Sequence, residues 1–356
     1  MSTTLDRLLQ NVTPEDINAY INGLPTPNTF ALTQSVIPER KIYGPKFRIE
    51  SNKRRINAAK FRAFDTPHAL AKRQAERVVN EGMLPAVGQT LEMGELSLIL
   101  FNARRGADDQ EFIEQLYDDL ERHFTSIKIA MEVAAGQLLS TGVVNLPGIG
   151  DSGEYLEVDW NVPTENKPVA ATPWDQAGAT PLTDEMAWMR YLKSVGAPKP
   201  ARVITSERAV SVLASNLEYR TAFWNSSSPE TTPSTTLSPP DVNSVRARWN
   251  LPPVEIYDEQ VWVDDVYQRV TPEGLWAMVP PNPDQWAQTQ YGVTAEQDNL
   301  DSSGNPGLEA AREPGMYVSY EKKSNPVQFS TTANAIAMPV LYVPNFHIAA
   351  TVLEED

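Results

Sequence analysis

Residues 108–141 read DDQEFIEQLYDDLERHFTSIKIAMEVAAGQLLST, the longest uninterrupted helical pattern in the chain. Apolar residues recur at Phe112, Leu116, Leu120, Phe124, Ile127, Met131, Ala134 and Leu138, steps of three or four that put them on one stripe of a helix. No proline interrupts the run. At the rise of an α-helix it is roughly 45–50 Å long, so it either lies across a molecule as its backbone or projects from it. Its first half carries Asp108, Asp109, Glu111, Glu114, Asp118, Asp119 and Glu121. That is more negative charge than the helix dipole calls for. Two explanations stay open: a solvated face, or a face that meets a basic surface.

A basic stretch exists on the same chain. Between positions 40 and 62 lie Arg40, Lys41, Lys46, Arg48, Lys53, Arg54, Arg55, Lys60 and Arg62, with Glu50 as the lone acid. The whole chain has a formal net charge of −16, which repels nucleic acid and anionic membranes at long range, so the basic stretch is better matched to a protein partner with an acidic face. The 356 residues are 41% hydrophobic, enough for a sizeable core. No apolar run approaches the ~20 residues of a membrane span, and MSTTLDRLLQ lacks the apolar segment of a secretion signal, so folding in a cytoplasm is expected. The absence of cysteine excludes disulfides, thiolate metal sites and cysteine nucleophiles together. With 29 prolines and 18 glycines, many turns and short elements are expected rather than a helical bundle.

Outward from the helix, residues 1–40 read as an arm, with a short helix starting at Thr13 and Pro14. Alternation at 46–50 and again at 59–64, around the polar Ser51-Asn52-Lys53-Arg54-Arg55, predicts a long charged hairpin. Such a hairpin is barely stable alone, so it rests on another surface. Residues 95–101 read as a buried strand. Gly148-Ile149-Gly150-Asp151-Ser152-Gly153 has the spacing of a dinucleotide fingerprint, but a helix precedes it and an alternating segment, 155–160, follows. A turn from helix into hairpin is the stronger reading, with nucleotide binding a remote second. Thr183 as N-cap and Gly196 as terminator bracket a helix at 183–194. A strand at 202–205, a helix at 206–224 capped by Ser206, a helix at 241–249, and strands at 254–258, 261–263 and 275–279 follow. Residues 226–240 and 298–307 read as polar loops, the first low-complexity and mobile. From 316 strand character returns, with Pro326, Pro339 and Pro344 expected at edges and strand ends.

Little in the sequence points to catalysis. His68, His123 and His347 have no catalytic-motif neighbourhood. Neighbouring acids such as Asp118 and Asp119, or Asp264 and Asp265, point in different directions. The eight tryptophans are scattered without basic interleaving, which favours core packing over base stacking. No catalytic residue, metal ligand or cofactor is assigned.

Several segments, in order, resemble the major capsid proteins of tailed phages, in particular the lambda-type capsid protein E family: Ser97-Leu98-Ile99-Leu100 leading into the long helix, residues 142–160, Ala179-Thr180-Pro181-Leu182, residues 251–258, and the run from Pro314-Gly315-Met316 through Asn325-Pro326-Val327 to Met338-Pro339-Val340-Leu341 and Pro344. The resemblance implies an α+β fold of the Hong Kong 97 type. Its parts would be an N-terminal arm (1–41), an extended loop (42–95), a peripheral domain (96–196) with the long helix as spine, an axial domain (197–312), and a return to the peripheral domain (313–356). It implies a shell subunit, forming hexamers and pentamers, that encloses double-stranded DNA with weak non-specific contact. A separate scaffolding protein, a portal and a decoration protein are the further partners implied, with assembly in the bacterial cytoplasm and no membrane. On this reading Arg48, Lys53, Arg54, Arg55, Lys60 and Arg62 of one copy meet Asp108, Asp109, Glu111, Glu114, Asp118 and Asp119 of another. An encapsulin-type compartment shares the fold and is the nearest alternative; an enzyme using the glycine turn at 148–153 is the remote one.

Overall fold

The computed structural model describes residues 20–21, 23–53, 76–93, 109–146, 156–226, 228–263, 265–295, 297, 315–324 and 327–354. A π-helical turn, Leu32–Val36, precedes strands β1 (Glu39–Lys41), β2 (Lys46–Lys53), β3 (Glu76–Met83) and β4 (Ala86–Met93). The long helix α1 (Asp109–Thr141) and a hairpin of β5 (Val143–Leu146) and β6 (Leu156–Asp159) follow. Next come α2 (Pro181–Ser194), β7 (Arg202–Thr205), α3 (Glu207–Ser215), α4 (Leu217–Trp224), α5 (Pro239–Arg248) and β8 (Val254–Ile256). The chain closes with β9 (Gln260–Val263), β10 (Val266–Arg269), β11 (Leu275–Val279), α6 (Pro283–Trp286), β12 (Ala287–Tyr291), β13 (Met316–Ser324), β14 (Val327–Leu341) and β15 (Ile348–Thr351).

Helix α1 is the wall shared by two of the three apolar clusters. Leu120, Phe124, Ile127 and Met131 pack with Met316, Val318, Phe329 and Ala333 of β13 and β14. Ala135, Leu138 and Leu139 pack with Phe30, Leu32 and Val36 of the N-terminal segment and with Ala277 and Val340. The sheet ordered β15-β11-β7-β8 separates this second cluster from a third. Along β11 successive side chains alternate between faces: Leu275, Ala277 and Val279 face the α1 side, while Trp276 and Met278 join Val203, Ile348 and Ala350 beneath α2, α3 and α5. All five β11 residues are buried, as expected of a strand covered on both faces.

The second sheet, ordered β1-β12-β14-β13 with β4 also on β14, is built on one 15-residue strand. The first part of β14 is flanked by β13 and β4, and the last five residues by β12. Pro339 lies inside that last part, opposite Thr289. A missing N–H is tolerated there because β13 and β4 have already left the other edge.

Four expectations need correction. β2 continues through Lys53 and pairs with β3, Lys46 opposite Met83 and Lys53 opposite Glu76, so residues 51–53 belong to a strand rather than to a turn. Helix α2 begins at Pro181 rather than at Thr183, whose hydroxyl instead donates to Glu218 at 2.9 Å; proline suits the first helical position because its absent N–H is not needed there. The helix expected at 206–224 breaks at Asn216, which is extended and accepts a hydrogen bond from Glu218 N–H at 2.8 Å to start α4. Residues 228–238 are tied down rather than loose: Leu237 is buried, its N–H reaches Ala214 O at 3.0 Å, and Ser238 and Asp241 form a reciprocal cap on α5. The expected short helix at Thr13 and Pro14, the strands at 59–64 and 95–101, the glycine turn at 148–153 and the loop at 298–307 lie outside the described residues.

Gly136 explains how α1 and the β9–β10 segment come so close. A Cβ there would collide with the Val270 carbonyl, so a residue that weakens a helix is needed at the crossing. Gly136→Ala is expected to cost about 1–3 kcal/mol, the usual range for overpacking, as a lower denaturation midpoint with unchanged steepness in urea. Wild-type stability in this variant would show that the crossing has slack.

Candidate interaction surfaces

One turn of α1 binds the N-terminal segment through buried polar groups. Glu132 is fully buried, and its carboxylate accepts from Leu32 N–H and Thr33 N–H at 2.9 Å each, from the Thr33 hydroxyl at 2.6 Å and from the Tyr257 hydroxyl at 2.6 Å. A buried carboxylate is costly unless its lone pairs are filled, and four donors fill them. Burial, and then the negative Glu132, push the Tyr257 phenol up, so it stays a donor. One turn earlier Lys128 donates to both Glu39 oxygens at 2.5 Å, with its ammonium 5.0 Å from the Tyr291 ring centre and 5.3 Å from that of Phe124. Burial lowers the Lys128 pKa despite Glu39. Together these contacts fix residues 32–39, and so the point where the chain leaves for β2.

A second knot sits under α2. The carboxylate of Glu185 and the guanidinium of Arg246, both fully buried, form a two-pronged pair at 2.6 and 2.8 Å. The Tyr219 hydroxyl donates to Glu185 Oε1 at 2.9 Å, Trp276 Nε1 donates to Oε2 at 3.2 Å, and Arg246 Nε donates to Pro252 O at 2.8 Å. Its members come from α2, α4, α5 and β11, so it orients those elements about one point. Neither knot opens to a reacting group, and both are read as positioning devices.

The β2–β3 hairpin pairs with no other strand among the described residues. Its root is held where the Phe47 ring lies across Gly82 and 5.5 Å from that of Trp160. Tyr43 and Met83, beside the root, are largely exposed. Arg48 forms an ion pair with Glu81 across the hairpin at 3.4 Å, both side chains more than half exposed, which is worth about 0.2–1 kcal/mol. Of the other basic positions singled out from sequence, Lys53 ends β2, while Arg54, Arg55, Lys60 and Arg62 lie outside the described residues. Of the acidic ones, Asp108 lies outside them. Asp109, Glu111, Glu114, Asp118 and Asp119 are on α1, where Asp118 is exposed and burial raises the carboxyl pKa of Asp119. Arg48 is thus matched within its own hairpin.

Among the described residues no group of three His, Asp or Glu side chains is arranged to hold a metal ion, and no helix is long and apolar enough to cross a membrane. His123 Nε2 lies 3.0–3.1 Å from the hydroxyl and carbonyl of Thr331 in the interior. His347 is buried against the Trp286 ring at 5.2 Å. Sequence reasoning did not single out Glu132, Glu185 or Arg246. The signal available for each was a charge set among apolar positions of a helix.

The family described as phage major capsid protein E matches residues 13–352. The chain belongs to this family. Among solved structures, one described as the capsid protein of a prophage in Escherichia coli CFT073 superposes with a TM-score of 0.58 at 15% identity, covering 99% of this chain and 98% of that one. A phage-related protein from Bordetella bronchiseptica RB50 gives 0.50 at 11% identity, covering 94% and 95%. An encapsulin from Synechococcus elongatus PCC 7942 gives 0.43 at 11% identity, covering 95% of each chain. No curated protein sequence matches. The fold is α+β and Hong Kong 97-like, and the chain is a phage major capsid protein, a structural subunit that assembles with its own copies into the shell around phage DNA.

Two outcomes follow for the isolated capsid subunit. Glu132→Ala leaves two amides, the Thr33 hydroxyl and a phenol buried without their acceptor, so a loss of about 3–5 kcal/mol in urea unfolding is expected, with faster proteolysis within residues 30–37. A loss below ~1 kcal/mol would show that the knot is dispensable. His347 has its pKa pushed down to about 4 by burial, with Lys167 adding to it, against an ordinary value of 6.5. The unfolded chain therefore binds a proton that the native one refuses between about pH 6.5 and 4. Stability falls as pH drops through that window, by up to about 3 kcal/mol from this residue alone. Unfolding of wild type and His347→Leu at pH 7.5 and 4.5 should show the steeper acid loss in wild type; equal losses would contradict it.

Proposed function

We propose that copies of this capsid protein pack as hexamers and pentamers of an icosahedral shell, with the β2–β3 hairpin of each copy laid over its neighbour. Residues 1–41 act as the N-terminal arm and 42–95 as the extended loop. Residues 96–196 and 313–356 form the peripheral domain around α1, and 197–312 form the axial domain at the centre of each ring. The observation that carries this reading is a hairpin anchored firmly at its root yet paired with no other strand among the described residues. A two-stranded ribbon gains its stability from a surface, and in a shell the available surface is another copy.

The charges favour one destination. Beyond Arg48, which already pairs with Glu81, Lys53, Arg54, Arg55, Lys60 and Arg62 give the loop sequence a positive charge, and Asp108, Asp109, Glu111, Glu114, Asp118 and Asp119 give the sequence at the start of α1 a negative one. Each exposed pair contributes only about 0.2–1 kcal/mol. Repeated around a ring, such pairs set register and partner choice while buried apolar area supplies the affinity. Assembly in the host cytoplasm uses a separate scaffolding protein and a portal, and the exterior of the shell is open to a decoration protein. The net charge of −16 keeps contact with the enclosed double-stranded DNA weak and non-specific.

The double variant Arg54→Glu with Arg55→Glu is expected to stay folded by circular dichroism and to need about tenfold more protein to form rings or shells by light scattering and negative-stain microscopy. Adding Asp118→Lys and Asp119→Lys should restore much of the loss. Assembly of the first variant at the wild-type concentration would refute this contact.

A further inference from the structure

The hairpin of β9 and β10 presents aromatic surface to solvent from a fixed base. Trp262 and Tyr267 are cross-strand partners whose rings meet edge-to-face at 4.7 Å, and they remain 52% and 67% exposed, beside Val266 at 61%. Together they leave on the order of 300 Å² of apolar surface in water. The base is not free to fold the pair away. Val261 and Val270 are buried in the cluster around α1, and Arg269 pairs with Asp258. Asp265, exposed and at φ +62°, occupies the turn.

The same chain carries an open groove of about 1050 Å³ between the loop before α2 and the outer side of α3 and α4. Ala177, Ala179, Val212, Leu217, Ala222 and Trp249 give it apolar walls, with Leu217 and Trp249 more than 40% exposed. Arg220 also lines it. Its guanidinium donates to Pro233 O at 3.0 Å, its Nε–H is buried without a partner, and no carboxylate among the described residues pairs with it. The nearby acids are engaged: Glu218 accepts from Leu182 N–H and the Thr183 hydroxyl at 2.9 Å each, and Asp175 lies 3.7 Å from Arg208. The groove is therefore apolar with one unanswered positive charge.

We infer that Trp262 and Tyr267 of one copy seat in this groove on a second copy, with Asp265 of the first against Arg220 of the second. The occupant is a second copy because the hairpin tip matches the groove in both respects, an aromatic pair for the apolar walls and a carboxylate for the cation. A knob on one copy that fits a different surface, a socket, on the next makes a head-to-tail contact, the kind that closes into rings. This inference rests on the proposed shell packing and adds a second contact independent of the β2–β3 hairpin.

Two variants of the full-length chain test it. Trp262→Ala with Tyr267→Ala is expected to keep the wild-type circular dichroism spectrum and melting behaviour while raising the concentration needed for assembly about tenfold or more, as for loss of an aromatic anchor. Because the chain has no cysteine, Asp265→Cys with Arg220→Cys reports the contact directly: oxidised assemblies should run as covalent ladders on non-reducing gels, and each single substitution should run as monomer. Assembly of the aromatic double variant at the wild-type concentration, or monomers alone from the oxidised double-cysteine assemblies, would overturn the inference while leaving the β2–β3 contact standing. A wild-type chain that forms neither rings nor shells, alone or co-expressed with a scaffolding protein, would overturn both.

Discussion

A single buried carboxylate holds together the parts from which the rest of the structure is built. Glu132 sits in the C-terminal half of α1 and takes hydrogen bonds from the arm at Leu32 and Thr33 and from Tyr257 just past β8. These groups are separated by about a hundred residues or more in sequence. The cost of burying that charge is offset only when all of them are present at once. Arm, spine helix and the segment leading to β9 are thus placed together. The Lys128 and Glu39 pair one turn away extends the same fixation to β1.

That rigidity gives the exposed elements their use. Two ribbons leave the body among the described residues: β2–β3, rooted at Phe47 and Gly82, and β9–β10, rooted at Val261 and Val270. Each has a root ordered by the core and pairs with no further strand among the described residues. Pre-ordering of a contact surface reduces what association must spend on ordering it. A shell subunit benefits twice, because each weak contact is repeated in every copy of a ring.

Much of the architecture was legible in local pattern. The stripe from Leu120 to Leu138 marked α1, and β7, β9 and β11 coincide with short alternating or β-branched runs. Glycine at 196, in the left-handed region at φ +77°, ended α2 as its position suggested. The start of α2 was equally readable from Thr180-Pro181, and the break between α3 and α4 from Asn216 followed by Glu218, since both are local cap signals. What was not legible depended on distant partners. The strand opposite β2 is β3, more than twenty residues on, and pairing across such a gap leaves no local mark. The burial of Glu132, Glu185 and Arg246 is likewise decided by donors and acceptors elsewhere in the chain, which composition and periodicity do not reveal.

The most direct measurement is a cryo-electron microscopy map of the assembled shell, traced so that each β2–β3 hairpin is assigned to its own chain. Continuous density is expected from the Phe47 root across to the acidic start of α1 on the adjacent copy, with the arm still bound at Glu132. Hairpins folded back onto their own α1, or standing in solvent between copies, would contradict it.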